Sequence, residues 1–148
     1  MASLAGRSSP PRVFIDSSVL IAAAASSTGS ARDLINLGLD GKVDLFVSSV
    51  VLTESQRNVA RKLPRALPIF QLLRAALQHR IVDPTSQLVA SVAQSIVPKD
   101  APVVAAALAA QAEFLASYDR KHLLGQASQI QAAYQLVVAT PDQIISRV

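Results

Sequence analysis

Short apolar runs alternate with helical periodicity along the whole chain. Val13-Phe14-Ile15 is apolar at consecutive positions, the mark of a strand buried on both faces, and it stops at Asp16. A strand is therefore expected over Arg12 to Ile15. A helix follows through Val19 to Ala25, with Ser17 or Ser18 supplying the capping oxygen. Ser26 to Gly29 breaks this pattern. Leu34, Ile35, Leu37 and Leu39 then place a second helix at about Ala31 to Leu39, stopped by Asp40-Gly41. Asp44 to Val47 reads as the next strand. Ser48 or Ser49 caps a third helix to about Leu63, and Pro64 ends it because proline has no NH to extend the ladder.

The second half keeps the rhythm. Ile69, Leu72, Leu73, Ala76 and Leu77 give Pro68 to His79 a helical spacing, and Arg80-Ile81-Val82 before Asp83-Pro84 reads as a short strand. Thr85 starts a helix through Val97. Asp100-Ala101-Pro102 opens an alanine-rich helix to about Gln111, with proline in the first turn where its missing NH costs nothing. Phe114 to Ala116 is a buried strand, followed by a helical turn at His122 to Leu124 and a last strand at Gln135 to Val138. Thr140-Pro141 begins a terminal helix. Strands alternating with helices predict an α/β fold, a three-layer α/β/α sandwich around a central, mainly parallel sheet with right-handed crossovers. The length fits one domain, expected over residues 12–148 behind a flexible leader at residues 1–11 that contains Arg7, Ser8, Ser9, Pro10 and Pro11.

Composition narrows the chemistry. With no cysteine, the chain has no disulfide, thiolate metal site or cysteine nucleophile; a reducing cytoplasm is the expected location. No apolar run approaches the length of a bilayer span, so no membrane segment is expected. The formal charge of +4 and a pI near 10.0 favour a polyanionic partner. Arg57, Arg61, Lys62 and Arg65 cluster in and just after the third helix, which brings Arg57 and Arg61 onto one face. The cluster reads either as a solvated helix face or as a phosphate contact for nucleic acid.

Four carboxylates stand in telling places. Asp16 and Asp119 follow buried strands, whose carboxyl ends line the ligand crevice of an open α/β sheet; Asp100 opens the alanine helix and Glu54 lies about one and a half turns into the third helix. Taken singly, Asp16 and Asp100 read as helix caps, Asp119 as a turn former, and Glu54 as a surface partner of Arg57 or Arg61. Taken jointly, they read as a site. Two carboxylates about 5 Å apart repel by roughly 3 kcal/mol at an effective dielectric near 20, so four in one pocket must protonate in part or recruit cations. Magnesium and manganese suit such oxygen ligands. His79 and His122 read as packing or surface histidines.

The segments FIDSSVLIAA, TESQRNVARK, KDAPVVAAALAAQAEFLASYDRKHLL and VVATPDQIISRV together resemble the PIN domain family, metal-dependent nucleases built as an α/β/α sandwich. The resemblance runs from about Val13 to the end of the chain. It implies metal ligation, directly or through water, by Asp16, Asp100 and Asp119, with Glu54 completing the pocket and Ser117 and Ser18 supporting it. Many relatives carry two acids where this chain has Lys99-Asp100. The resemblance further implies a Mg2+- or Mn2+-dependent ribonuclease acting on RNA, the toxin of a toxin-antitoxin pair with an antitoxin protein as partner, and a homodimer. The alternatives are a non-catalytic PIN-like module that binds nucleic acid or protein, and a magnesium-dependent phosphatase. Against this phosphatase, or another α/β phosphoryl-transfer enzyme, DSSVL lacks a second nearby acid, and no GxxxxGK loop is present to support a nucleotide hydrolase.

Overall fold

The computed structural model describes residues 9–148. The leader expected at residues 1–11 thus lies outside the described residues except for Ser9 to Pro11. Pro11 is already buried, and its carbonyl accepts the Asp44 NH at 2.8 Å, so ordered pairing begins one residue before the predicted boundary.

Among the described residues, four strands form one all-parallel sheet in the order β2-β1-β3-β4. They are β1 (Arg12–Ile15), β2 (Asp44–Phe46), β3 (Phe114–Ala116) and β4 (Val137–Ala139). Val13 pairs with Leu45 on one side and Phe114 on the other, while Ala116 pairs with Ala139. Val13, Phe14, Ile15, Leu115 and Ala116 have no exposed surface, as parallel strands covered on both faces require. α1 (Ser17–Ala25) and α2 (Ser30–Leu39) carry the chain from β1 to β2. α3 (Ser49–Lys62), α4 (Leu67–Ala76), α5 (Ser86–Val92) and α6 (Ala101–Ala109) lead from β2 across to β3. α7 (Ala127–Tyr134) joins β3 to β4, and α8 (Pro141–Ile145) follows. The crossover from β1 to β2 runs in the opposite direction to those that reach β3 and β4, and by the right-handed rule for parallel strands this assigns α1 and α2 to one face and α6 and α7 to the other. α3 and α4 pack on α1, and α8 packs on α2.

α1 and α6 are nearly all alanine and aliphatic, and neither has a basic residue in its last turn. Arginines from other elements serve their carboxyl ends. Arg32 donates to the Ala23 carbonyl from Nε and Nη2 (2.8 and 2.5 Å), and Arg12 does the same at Ala110 (3.0 and 2.7 Å) while its guanidinium lies 4.3 Å from the centre of the Phe46 ring.

Several local expectations are corrected. The cap of α1 is Asp16, not Ser17 or Ser18. The strand expected at residues 80–82 is reduced to one parallel bridge, Val47 to Ile81. The helix from Thr85 ends at Val92 rather than Val97, α7 was not foreseen, and the last strand lies at Val137–Ala139 rather than residues 135–138. Ser48 caps α3, accepting the Val51 NH at 3.2 Å. No helix of the described residues is long and apolar enough to cross a membrane.

Gly38 is the point where α2 comes down on β2, because a Cβ there would overlap the buried Leu45 side chain. Alanine would add about 1 kcal/mol of helix propensity, against roughly 1–3 kcal/mol for overpacking. Gly38→Ala is therefore expected to lower stability by about 1 kcal/mol in urea unfolding. An unchanged or higher midpoint would show that the layers have room to part.

Candidate active site

β1 connects to β2 on one side while β3 lies on its other side, so the strand order reverses between β1 and β3. Ligands of open parallel sheets bind outside the strand ends at such a switch point. Asp16 is the residue after β1, and its NH donates to the Ala116 carbonyl at the end of β3 (3.0 Å). Ser117 and Asp119 follow β3 directly. The two loops are thereby set edge to edge.

Asp16 is the centre of the arrangement, and only 6% of it is exposed. Its Oδ1 accepts the Ser17 NH at 2.6 Å, which is the helix-cap bond of α1. Its Oδ2 accepts the hydroxyls of Ser117 (2.8 Å) and Ser18 (3.0 Å). The same Ser117 oxygen accepts the Asp119 NH at 3.0 Å, and the Ser18 oxygen accepts the Tyr118 NH at 2.9 Å. Each serine thus ties the β1 loop to the β3 loop through the carboxylate. Burial pushes the Asp16 carboxyl above its ordinary value; the bonds from Ser117, Ser17 and Ser18 oppose that rise, and the Asp119 charge adds to it. Among the described residues, no basic side chain pairs with it. The capping and functional readings of Asp16 therefore coexist, since one oxygen serves the helix while both remain at the switch point.

Glu54 is exposed on α3 and reaches this centre through Ser17, whose hydroxyl lies 3.3 Å from Glu54 Oε1 and 3.4 Å from Asp16 Oδ1. Glu54 makes no ion pair with Arg57 or Arg61 among the described residues. All three instead line an open groove of about 640 Å³ with Asn58. Lys62 and Arg65 do not join them. These two line a separate, largely apolar pocket of about 490 Å³ with Ala24, Ala25, Leu63 and Ile69, so the basic cluster divides between two surfaces.

Asp100 is buried on another wall, and its side chain makes no cap bond to α6. Its Oδ2 accepts Gln126 Nε2 at 2.8 Å and lies 3.9 Å from His122 Nδ1. Gln126 is itself fully engaged: Nε2 also donates to the His122 carbonyl (3.2 Å), and Oε1 accepts the Val97 NH (3.1 Å). The His122 NH donates to Asp119 Oδ1 at 3.2 Å, linking Asp100 to Asp119. Ser17, His122 and Gln126 are the connecting residues that sequence reasoning did not place. For Ser17 and His122 the signal was adjacency to the acids. Gln126 carried none.

The structure thus brings Asp16, Asp119 and Ser117 together, joins Glu54 through Ser17, and joins Asp100 through the loop after Asp119. Among the described residues, no three acidic or histidine side chains stand close enough to enclose an ion. The donor chemistry nevertheless suits one: carboxylates with a buried, unpaired member at the centre offer the hard oxygens that Mg2+ or Mn2+ takes. Glu54 is exposed and Asp119 half-buried, so neither carboxylate is closed off from solvent. The family model described as PIN domain matches residues 12–121, which includes all four acids. Comparison with curated proteins and with solved structures gave no match.

The raised Asp16 carboxyl carries a stability consequence. As pH rises past the ordinary value of 3.8, the unfolded chain ionises first, so the fold loses stability until the folded group ionises too and keeps that loss at neutral pH. Without divalent ions, Asp16→Asn is expected to unfold at higher denaturant than the parent at about pH 7, with the difference closing near pH 3. A variant less stable at neutral pH would mean that the hydroxyl cage favours the charged form.

Proposed function

Because the chain belongs to the PIN domain family, whose members are generally nucleases that use divalent metal ions, we propose that it is a Mg2+- or Mn2+-dependent ribonuclease that hydrolyses RNA phosphodiester bonds. The observation that carries this reading is the buried Asp16 at the switch point, which has no basic partner and is joined to Asp119 by Ser117. Asp16 and Asp119 would hold the ion, with Asp100 and Glu54 contributing directly or through water. Once bound, the ion would supply an acidified water and positive charge for the phosphoryl oxygens. Ser117 and Ser18 orient Asp16 as outer-shell donors. Arg57 and Arg61, on the groove next to Glu54, bind the flanking phosphates. Water is the nucleophile, so the absence of cysteine has no bearing on the reaction.

RNA is favoured over DNA through the family reading. A role as the toxin of a toxin-antitoxin pair follows the same line, with an antitoxin protein as inhibitor and a homodimer as the working form. The apolar pocket bearing Lys62 and Arg65 has none of the four carboxylates in its lining.

The decisive experiment incubates the protein with structured and single-stranded RNA and DNA in magnesium, manganese or chelator, using Asp119→Asn as the contamination control. Metal-dependent internal cleavage of RNA that the variant loses is expected; no cleavage of any substrate would favour a binding module. Ser117→Ala should reduce cleavage by about 10–100-fold, the usual cost of losing an outer-shell partner. Arg61→Ala should weaken RNA binding and lower the salt slope by about one. An unchanged slope would remove Arg61 from the phosphate path.

A further inference from the structure

Displacement at a phosphodiester calls for positive charge in two places: beside the attacking water, to favour loss of its proton, and beside the leaving oxygen, on which negative charge develops. The carboxylates here fall into two groups. Asp16 and Glu54 share the Ser17 hydroxyl and the Asp119 charge acts on Asp16, whereas Asp100 stands on the other wall with one oxygen already held by Gln126 at 2.8 Å. A cation accompanies Asp100. The Nζ of Lys99 lies 3.4 Å from His122 Nε2, and His122 Nδ1 lies 3.9 Å from Asp100 Oδ2. An ammonium can only donate, so Nε2 accepts and the ring hydrogen on Nδ1 faces Asp100. The backbone of His122 is held on both sides, because its NH bonds Asp119 and its carbonyl accepts from Gln126. Lys99 is exposed, so a phosphate can reach the ammonium that this ring aims. Several arginines are committed elsewhere: Arg12 and Arg32 to helix ends, Arg74 to Gln56 and Arg80 to Asp44.

We propose that Lys99, aimed by His122, is the second positive charge of this site, so that the chain works with one divalent ion held at Asp16 and Asp119. The inference rests on the nuclease reading. In the step it implies, water forms the new bond to phosphorus and gives a proton to solvent. The bond from phosphorus to the leaving ribose oxygen breaks and the electron pair stays on that oxygen. The Lys99 ammonium donates a hydrogen bond to it and keeps its own charge, and solvent water supplies the proton that completes the hydroxyl. Lys99 is thus a catalytic residue. His122 is a positioning residue.

The test has two arms. Manganese is titrated into the unloaded protein and counted by electron paramagnetic resonance: one ion per chain is expected in the parent and two in Lys99→Glu, which puts a further carboxylate beside Asp100. Steady-state cleavage of RNA then compares variants. Lys99→Met should lower kcat by about 100-fold with KM changed less than about threefold, and Lys99→Arg should recover part of it. His122→Ala should lower kcat by about tenfold, with His122→Gln partly restoring it through an acceptor for the ammonium. Two ions in the parent, an unchanged count in Lys99→Glu, or an effect of Lys99→Met on KM and salt dependence alone would overturn the proposal while cleavage by the parent upholds the nuclease reading. A parent that binds manganese but cuts nothing would overturn both.

Discussion

The structure turns on a carboxylate kept out of water without a counter-charge. Asp16 sits where the strand order reverses, and the contacts that hold it come from hydroxyls and a backbone NH. Those donors lower the cost of burial without cancelling it, which is why the group's pKa stays above the ordinary value. The same donors determine where the loops go. Ser17 begins α1, Ser18 holds the Tyr118 NH, and Ser117 holds the Asp119 NH, so the carboxylate works as the rivet between the β1 and β3 loops. Retaining the charge makes sense if a cation completes the site, and the cost of burial is then a standing preference for binding one.

The sheet was legible from the chain because its strands announce themselves by consecutive burial. Val13-Phe14-Ile15 and Phe114-Leu115-Ala116 have no polar face to confuse with a helix, and their register follows from a single switch point. The misreadings have physical causes. α7 buries only Ile130 in its eight residues, so its periodicity was too faint to separate from a loop. The run after Thr85 keeps its apolar positions past the helix end, since Ile96 is buried from a turn and not from α5. At residues 80–82, β2 has already ended at Phe46, leaving one residue for Ile81 to pair with.

Site residues divide along the same line. The four acids stand out in the sequence because each adjoins a strand end, opens a helix or lies in one, where position in the chain sets position in space. Their connectors do not. Gln126 meets Asp100 across 26 residues, and nothing local distinguishes it from Gln129 or Gln131. Within the basic cluster, Arg57 and Arg61, one turn apart on α3, share the groove beside Glu54, as their four-residue spacing predicts. Lys62 lies about 100° further round the helix and Arg65 comes after α3 has ended at Lys62, and both line a pocket with the end of α1.

The two groups of carboxylates therefore differ in what balances them, and this asymmetry follows from how each is held. Asp16 is fixed by groups that donate hydrogen bonds but bring no charge, so its deficit is open to an ion. Asp100 is fixed by an amide and faced by an imidazole with an ammonium behind it, so its charge is already partly answered by the chain. Coulomb repulsion among the acids is thus relieved at one end by the sequence itself and left unrelieved at the other. A fold that neutralised both ends internally would have no use for a metal, and one that neutralised neither would need a cation at each end. The neighbour of Asp100 decides between these arrangements, which makes Lys99 as informative about the chemistry as any of the acids.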